Sequence, residues 1–355
     1  MSLWVALVLM GSGPGPVESR VTFAGAGLTG KGLERKLAGQ DTKGYEMKLF
    51  GTLTMPVHPR GRLVPAVLLL PGSGPTDRNG NQPPVVMSDI LKQISENLAK
   101  NGIATLRFDK RATRMYQPSW PKDANKLAEF FKWENFIGDA TDAYRFLASQ
   151  PGVDAKRVAI IGHSEGAEIA LQIGSNLANS GNGPAALVTL GGAGRPMGPI
   201  LTEQIAATLD KQTKIPAVKK LYMDALAKAI KQLIKSGTYP SDMPAGLVRL
   251  FSPSTLKFMR SWCTIDPAVL AHNYRGPVLL VNGAHDTQIS PERDTPNLKA
   301  ALASRKVGTV EVFIVPNASH NLKSTADGND DATLGPIVPS ALEKIKQFLT
   351  KQLHP

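Results

Sequence analysis

The chain has 355 residues, 42% of them hydrophobic, and 41 basic against 29 acidic side chains give it a net charge of +12. That apolar fraction excludes a disordered chain. No run approaches the ~20 apolar residues of a membrane-spanning helix, so no stable span is expected. A lone cysteine, Cys263, excludes an internal disulfide framework and reads as core filler.

A positive balance fits nucleic acid, an anionic surface or plain solubility. No stretch interleaves basic and aromatic residues in the manner of a nucleic-acid binder. Lys211, Lys214, Lys219, Lys220, Lys228, Lys231 and Lys235 fall in one helical stretch, which reads as a solvated face, so no nucleic-acid partner is expected. The length allows one large α/β domain with an insertion, or two domains.

Residues 1–44 read as an N-terminal extension. Residues 3–10 are apolar but lack the basic start of a secretory signal. A trimmed signal, an expression scar and a packed strand all fit, and cytoplasmic, periplasmic and secreted locations stay open. "GAGLTG", residues 25–30, matches a dinucleotide fingerprint. The β-like "GYEMKLFGTLTMP" follows it where a helix and a distant acid are needed, so no such cofactor is expected.

From Tyr45 the pattern alternates. "YEMKLFGTLTMP" reads as a strand, and "VPAVLLLPGSG" as a buried strand ending in a glycine turn. In "MSDILKQISENLAKNG", Ile90, Leu91, Ile94 and Leu98 recur at helical spacing before Gly102. "IATLRFD" is a strand and "NFIGDATDAYRFLASQ" a helix. "RVAIIG" leads into a helix that begins after Ser164. "AALVTLGG" and "GPVLLVNG" are buried strands, followed by the helix "PNLKAALASR", the strand "GTVEVFIVP" and the helix "PSALEKIKQFLTKQ". Such alternation predicts a mostly parallel sheet with helices on both faces. The core is expected to comprise residues 45–194 and 274–355. Residues 195–273 show helical patterning without a strand, with Leu201, Ile205 and Leu209 on one helix and Leu221, Ala225, Ala229 and Leu233 on the next. They read as a helical insertion above the sheet, too long for a plain loop.

Gly162-His163-Ser164-Glu165-Gly166 fits G-x-S-x-G, after a strand and opening a helix, which is the context of a nucleophile elbow. A serine hydroxyl needs a base. Of six histidines, His163 lies within the elbow, His354 at the end, His58 before the main sheet and His272 in the insertion. His285 ends a strand beside a better-placed acid. His320, just past the last strand, is the expected base. The acid is expected after a strand between the two, and "VLLVNGAHD" supplies Asp286, with Asp294 in reserve. Two backbone N–H groups, of Glu165 and of Ser73 in "PGSGPTDRNGN", are expected to bind an oxyanion. Gly72 and Gly74 permit close approach of substrate. Asp77, Arg78, Asp109 and Arg111 are expected to form an ion-pair network, with Arg78 also a candidate substrate contact. "DGNDD", residues 327–331, lacks the glycine and glutamate of a calcium loop and reads as solvated, so no metal site is expected.

These motifs resemble the α/β-hydrolase superfamily over roughly residues 45–353. "PGSGPTDRNGN", "RFDKR" and "GHSEG" are similar to a bacterial carboxylesterase group related to the serine-aminopeptidase-like and dienelactone-hydrolase-like branches. The resemblance implies Ser164 as nucleophile, Asp286 as acid and His320 as base. It also implies a helical cap at residues 195–273. Where the group often has "RFDKRG" followed by Gly and Ser, this chain reads "RFDKRATRMYQPSW". The expected activity is serine carboxylesterase action on small to medium acyl esters without a cofactor, with amide or thioester hydrolysis as the alternative. Met223, Leu247, Phe251, Leu256 and Phe258 are candidate pocket residues of the cap.

Overall fold

Seven unbroken apolar or proline positions, VPAVLLL, suit a strand covered on both faces, and they form β3 (Val64–Leu70), buried throughout. A computed structural model describes residues 15–58, 61–248 and 250–353. The apolar run at residues 3–10 and His354 lie outside them.

β3 sits inside an eight-stranded sheet of order β1-β2-β4-β3-β5-β6-β7-β8. The other strands are β1 (Val17–Leu28), β2 (Glu46–Met55), β4 (Ala104–Phe108), β5 (Val153–His163), β6 (Leu187–Leu190), β7 (Val278–Gly283) and β8 (Val310–Val315). β1–β2 and β2–β4 pair antiparallel, and every other pair is parallel. This is the α/β-hydrolase fold.

The period-2 geometry of strands divides the core into two layers. Ala66, Leu68 and Leu70 of β3 and Val158 and Ile160 of β5 face one layer. There they meet α4 (Trp133–Ala148), α5 (Glu165–Leu177), α10 (Pro267–Asn273) and α11 (Asp294–Ala303). Val67, Leu69, Ala159 and Ile161 face the other, covered by α2 (Ile90–Lys100) and α12 (Pro339–Leu353). Each fully buried Leu or Ile contributes roughly 1.5–3 kcal/mol. α2 buries the four residues whose spacing predicted it, Ile90, Leu91, Ile94 and Leu98.

Between β6 and β7 the chain runs through α6 (Met197–Gln212), α7 (Pro216–Ser236), α8 (Ala245–Val248), α9 (Leu256–Thr264) and then α10. Leu201, Leu226, Ala229, Leu233, Leu247, Phe251, Met259 and Cys263 form a third apolar cluster there. The Cys263 thiol is pushed up to about 11 by burial, as suits a packing residue. Leu221 departs from expectation, since it is 59% exposed while Leu226, Ala229 and Leu233 are buried. The lysines at positions 211, 220 and 228 are exposed and Lys219 is partly so, and the four pair with Asp331 (Lys211), Asp224 (Lys220), Asp242 (Lys228) and Asp210 (Lys219).

The expected amino-terminal extension contains two elements. β1 is the sheet's edge strand, followed by α1 (Gly30–Leu37). Gly25 and Gly30 of "GAGLTG" serve packing there. A Cβ on Gly25 would lie 2.7 Å from Asp139, and one on Gly30 would lie 2.6 Å from the Pro121 nitrogen. Thr29 caps α1 by accepting from the Gly32 N–H. One further helix, α3 (Ala124–Phe130), precedes α4. Among the described residues, no helix is long and apolar enough to cross a membrane.

Candidate functional site

β5 ends at His163 and α5 begins at Glu165, so Ser164 alone carries the reversal. Its φ of 54° and ψ of −122° are a conformation that L residues rarely adopt and that costs roughly 1–3 kcal/mol. It occupies the N-cap position, yet its side chain makes no capping hydrogen bond. Helix capping therefore does not account for this serine.

The flanking glycines are obligatory. A Cβ on Gly162 would lie 2.1 Å from the Gly166 carbonyl oxygen, and one on Gly166 would lie 2.5 Å from that of Leu70. The neighbours are backbone and cannot yield. The Ser164 N–H donates to Leu190 O at 2.8 Å, which pins the turn to the end of β6.

The next residue, Gly191, brings the other site groups near. A Cβ there would fall 2.9 Å from His320 Cε1 and 3.1 Å from Asp286 Oδ2. His320 Nδ1 and Asp286 Oδ2 are 2.7 Å apart, with both side chains almost wholly buried. Asp286 Oδ1 accepts from the N–H groups of Gln288 and Ile289 at 2.8 and 2.9 Å. With the carboxylate ionised, Nδ1 of His320 is the protonated nitrogen and Nε2 is free to accept. Asp294 lies elsewhere, bound by the Gly194 N–H and by Arg195.

The remaining histidines separate clearly. His285 is half exposed, between Thr325 and Asp330. His272 meets Ser304 on the surface. His58 neighbours Gly152, just before β5 begins and far along the strand from Ser164. His163, at the end of β5, packs against His320. Its ring centroid lies 4.8 Å from that of His320, and its Nε2 is 3.1 Å from the His320 carbonyl oxygen. Burial first, and His320 second, push the His163 imidazole down to about 3. It stays neutral and donates to that carbonyl.

Gly72 passes close to the serine, with a Cβ there 3.3 Å from Ser164 Cβ. The loop is held by its carbonyls. Ser73 O accepts from Gln82 Nε2 and Thr76 Oγ1, and Gly72 O accepts from Lys110 Nζ. Gly74, at a φ of +79°, leaves room for the Gln82 side chain. Glu165 lies in the first turn of α5, where N–H groups have no carbonyl of their own helix to bind.

The expected four-residue charge network is two separate pairs. Arg78 holds Asp109, through Nε at 2.9 Å and a closer contact from Nη2, and its Nη1 reaches Thr52. That commits its guanidinium to the scaffold. Arg111 pairs with Asp139 instead, with both side chains buried. Asp77 accepts from the backbone of Asn79 and Asn81. Of the candidate pocket residues, Phe251 and Leu247 are buried in the helical segment's own core, and Met223 and Leu256 pack against it. Phe258 is partly buried against Trp133, Phe136 and Trp262. Glu168 of α5 accepts from Trp262 Nε1 at 2.7 Å. Burial, with Glu165 close by, pushes its carboxyl well above the usual carboxylate range.

A family model described as "BAAT / Acyl-CoA thioester hydrolase C terminal" matches residues 140–248, which include the elbow but neither Asp286 nor His320. No curated protein matches the chain. Est1E from Butyrivibrio proteoclasticus is similar in structure at 15% identity and a TM-score of 0.52, over 87% of this chain and 96% of that one. The α/β hydrolase GrgF from Penicillium sp. sh18 matches at 17% identity and a TM-score of 0.51, over 95% and 99%. The Pyrococcus horikoshii acylaminoacyl peptidase matches at 14% identity and a TM-score of 0.53, over 94% of this chain and 41% of that one. These likenesses bear out the α/β-hydrolase fold.

Proposed function

We propose that this chain, with its α/β-hydrolase fold, is a serine hydrolase that cleaves carboxylic esters of small to medium acyl groups. Convergence at the end of β6 carries the reading. The strained Ser164 bonds Leu190 there, and Gly191 beside it touches the buried His320–Asp286 pair.

In this reading Ser164 Oγ attacks the ester carbonyl carbon while His320 Nε2 takes its proton. Asp286 fixes the imidazole tautomer and stabilises the imidazolium. The carbonyl electrons move onto oxygen, which accepts from the Ser73 and Glu165 N–H groups. The tetrahedral species collapses, and His320 gives the proton to the departing alcohol. Water then repeats the sequence on the acyl-serine, releasing the acid and restoring Ser164. Residues 195–273 act as a cap that bounds the acyl pocket. Phe258, Met223 and Leu256, all only partly buried, are the lining candidates.

A thioester or amide would follow the same route with a different leaving group. The thioester alternative is supported by the description of the family model over residues 140–248.

The test is hydrolysis of nitrophenyl esters from acetate to long acyl chains, beside matched thioesters and anilides, by the native protein and Ser164→Ala. Turnover fastest on esters and lost in the variant is expected. A folded native protein inert on all three classes overturns the reading, and faster turnover of thioesters or anilides moves it to that class.

A further inference from the structure

We propose that Lys110 is a positioning residue for the oxyanion-binding peptides, acting through one buried ammonium that ties both of them together. The assignment rests on the serine-hydrolase reading above.

Lys110 follows β4 in the "RFDKR" segment. Its Nζ donates to Gly72 O at 3.0 Å and to Glu165 Oε1 at 2.7 Å. The side chains of Lys110 and Glu165 are only 5% and 1% exposed. Nζ also lies 5.2 Å from the centre of the Phe136 ring. A cavity of about 10 Å³ beside it is walled by Leu70, Pro71, Phe108, Phe136 and Ile169 among others, room for at most one water. Removing two charges from water costs several kcal/mol per ion, and an apolar pair of similar volume often serves stability as well. Stability alone is therefore a weak reason for this pair.

Geometry supplies a better one. A trans peptide is planar, and its C=O and N–H point in opposite directions. Lys110 draws the Gly72 carbonyl to itself, so the N–H of the same peptide, that of Ser73, points the other way. A charge-assisted bond at the carbonyl end also polarises the peptide and strengthens the N–H as a donor. The second contact holds the side chain of Glu165, whose own backbone N–H is the other proposed donor. Lys110 thus fixes the relative placement of two donors, one in the loop after β3 and the other at the start of α5.

The experiment compares native protein with Lys110→Met, reading kcat, KM and the dissociation constant of an arylboronic acid, whose serine adduct is tetrahedral. Misaligned donors are expected to lower kcat by about 10–100-fold, less than the 10²–10³-fold of a deleted donor. Boronate binding should weaken by a similar factor while KM moves less than about 2-fold. A folded Lys110→Met with native kcat and native boronate affinity overturns the assignment, as does a loss confined to KM. If Lys110→Met does not fold, Glu165→Gln keeps shape and an acceptor for Nζ while weakening the tie. A loss in kcat and boronate affinity smaller than that range supports the assignment, and native values overturn it. A native protein that neither turns over substrate nor binds boronate overturns the hydrolase reading, and this assignment with it.

Discussion

His320 Nδ1 lies 2.7 Å from Asp286 Oδ2, although 34 residues separate the two in the chain. The other carboxylate oxygen is held by two backbone N–H groups, so the carboxylate cannot turn. In Asp286→Asn those N–H groups keep the oxygen, and the amide NH₂ is left facing Nδ1. That forces the wrong tautomer, with Nε2 protonated and unable to accept. The expected result is a fall in kcat of roughly 10⁴-fold, with the fold kept by circular dichroism and KM little changed.

Strain at Ser164 makes a second prediction, about stability rather than rate. Ala at position 164 retains the unfavourable φ of 54°, whereas Gly relieves roughly 1–3 kcal/mol of it. Gly in turn adds about 0.5–1 kcal/mol of unfolded-chain entropy. The strain is the larger quantity, so Ser164→Gly should be more stable than Ser164→Ala by about 1 kcal/mol in urea unfolding, and both should be inactive. A less stable Gly variant would count against the strain.

His163 makes acid stability a test of its burial. An unfolded chain protonates this imidazole below about 6.5, whereas the folded chain does not until about 3. The unfolded state binds the extra proton between those values, so stability falls as pH drops through that window. His163→Gln can still donate to the His320 carbonyl but cannot titrate. Its urea midpoint should fall less than that of the native protein between pH 7 and pH 4.5.

Glu168 acts in the opposite direction. Its raised pKa means that the folded chain keeps a proton which the unfolded chain releases above about 4.5. Stability is therefore full below that value and declines as pH rises above it. Glu168→Gln preserves an oxygen for Trp262 Nε1 and removes the titration. It should unfold at higher urea than native protein at pH 8, with the difference vanishing near pH 4.

Much of the sheet was legible because β3, β5, β6 and β7 are doubly covered and carry near-continuous apolar runs. β1 was not, because an edge strand alternates exposed and buried positions and here ends among glycines. The phase of α7 was misjudged for a geometric reason. Residues four apart advance about 400° on a helix, or about 40° past a full turn. Three such steps carry Leu221 well off the face shared by Ala229 and Leu233, and Leu226 takes its place. In the candidate site, the places of Ser164, Asp286 and His320 near strand ends were readable from the apolar runs before them. The contacts of His163 and Lys110 were not, because they depend on how loops from β3, β4, β5 and β8 meet. The partner of Arg111 was misread because Asp139 lies on α4, 28 residues away.

Covalent labelling tests the central claim most directly. Native protein treated with a fluorophosphonate should gain one adduct by intact mass, mapped by peptide sequencing to Ser164. Labelling should vanish in Ser164→Ala and slow by orders of magnitude in His320→Ala. A folded native protein that takes up no label, or a Ser164→Ala variant labelled as fast as native, would contradict a nucleophilic Ser164.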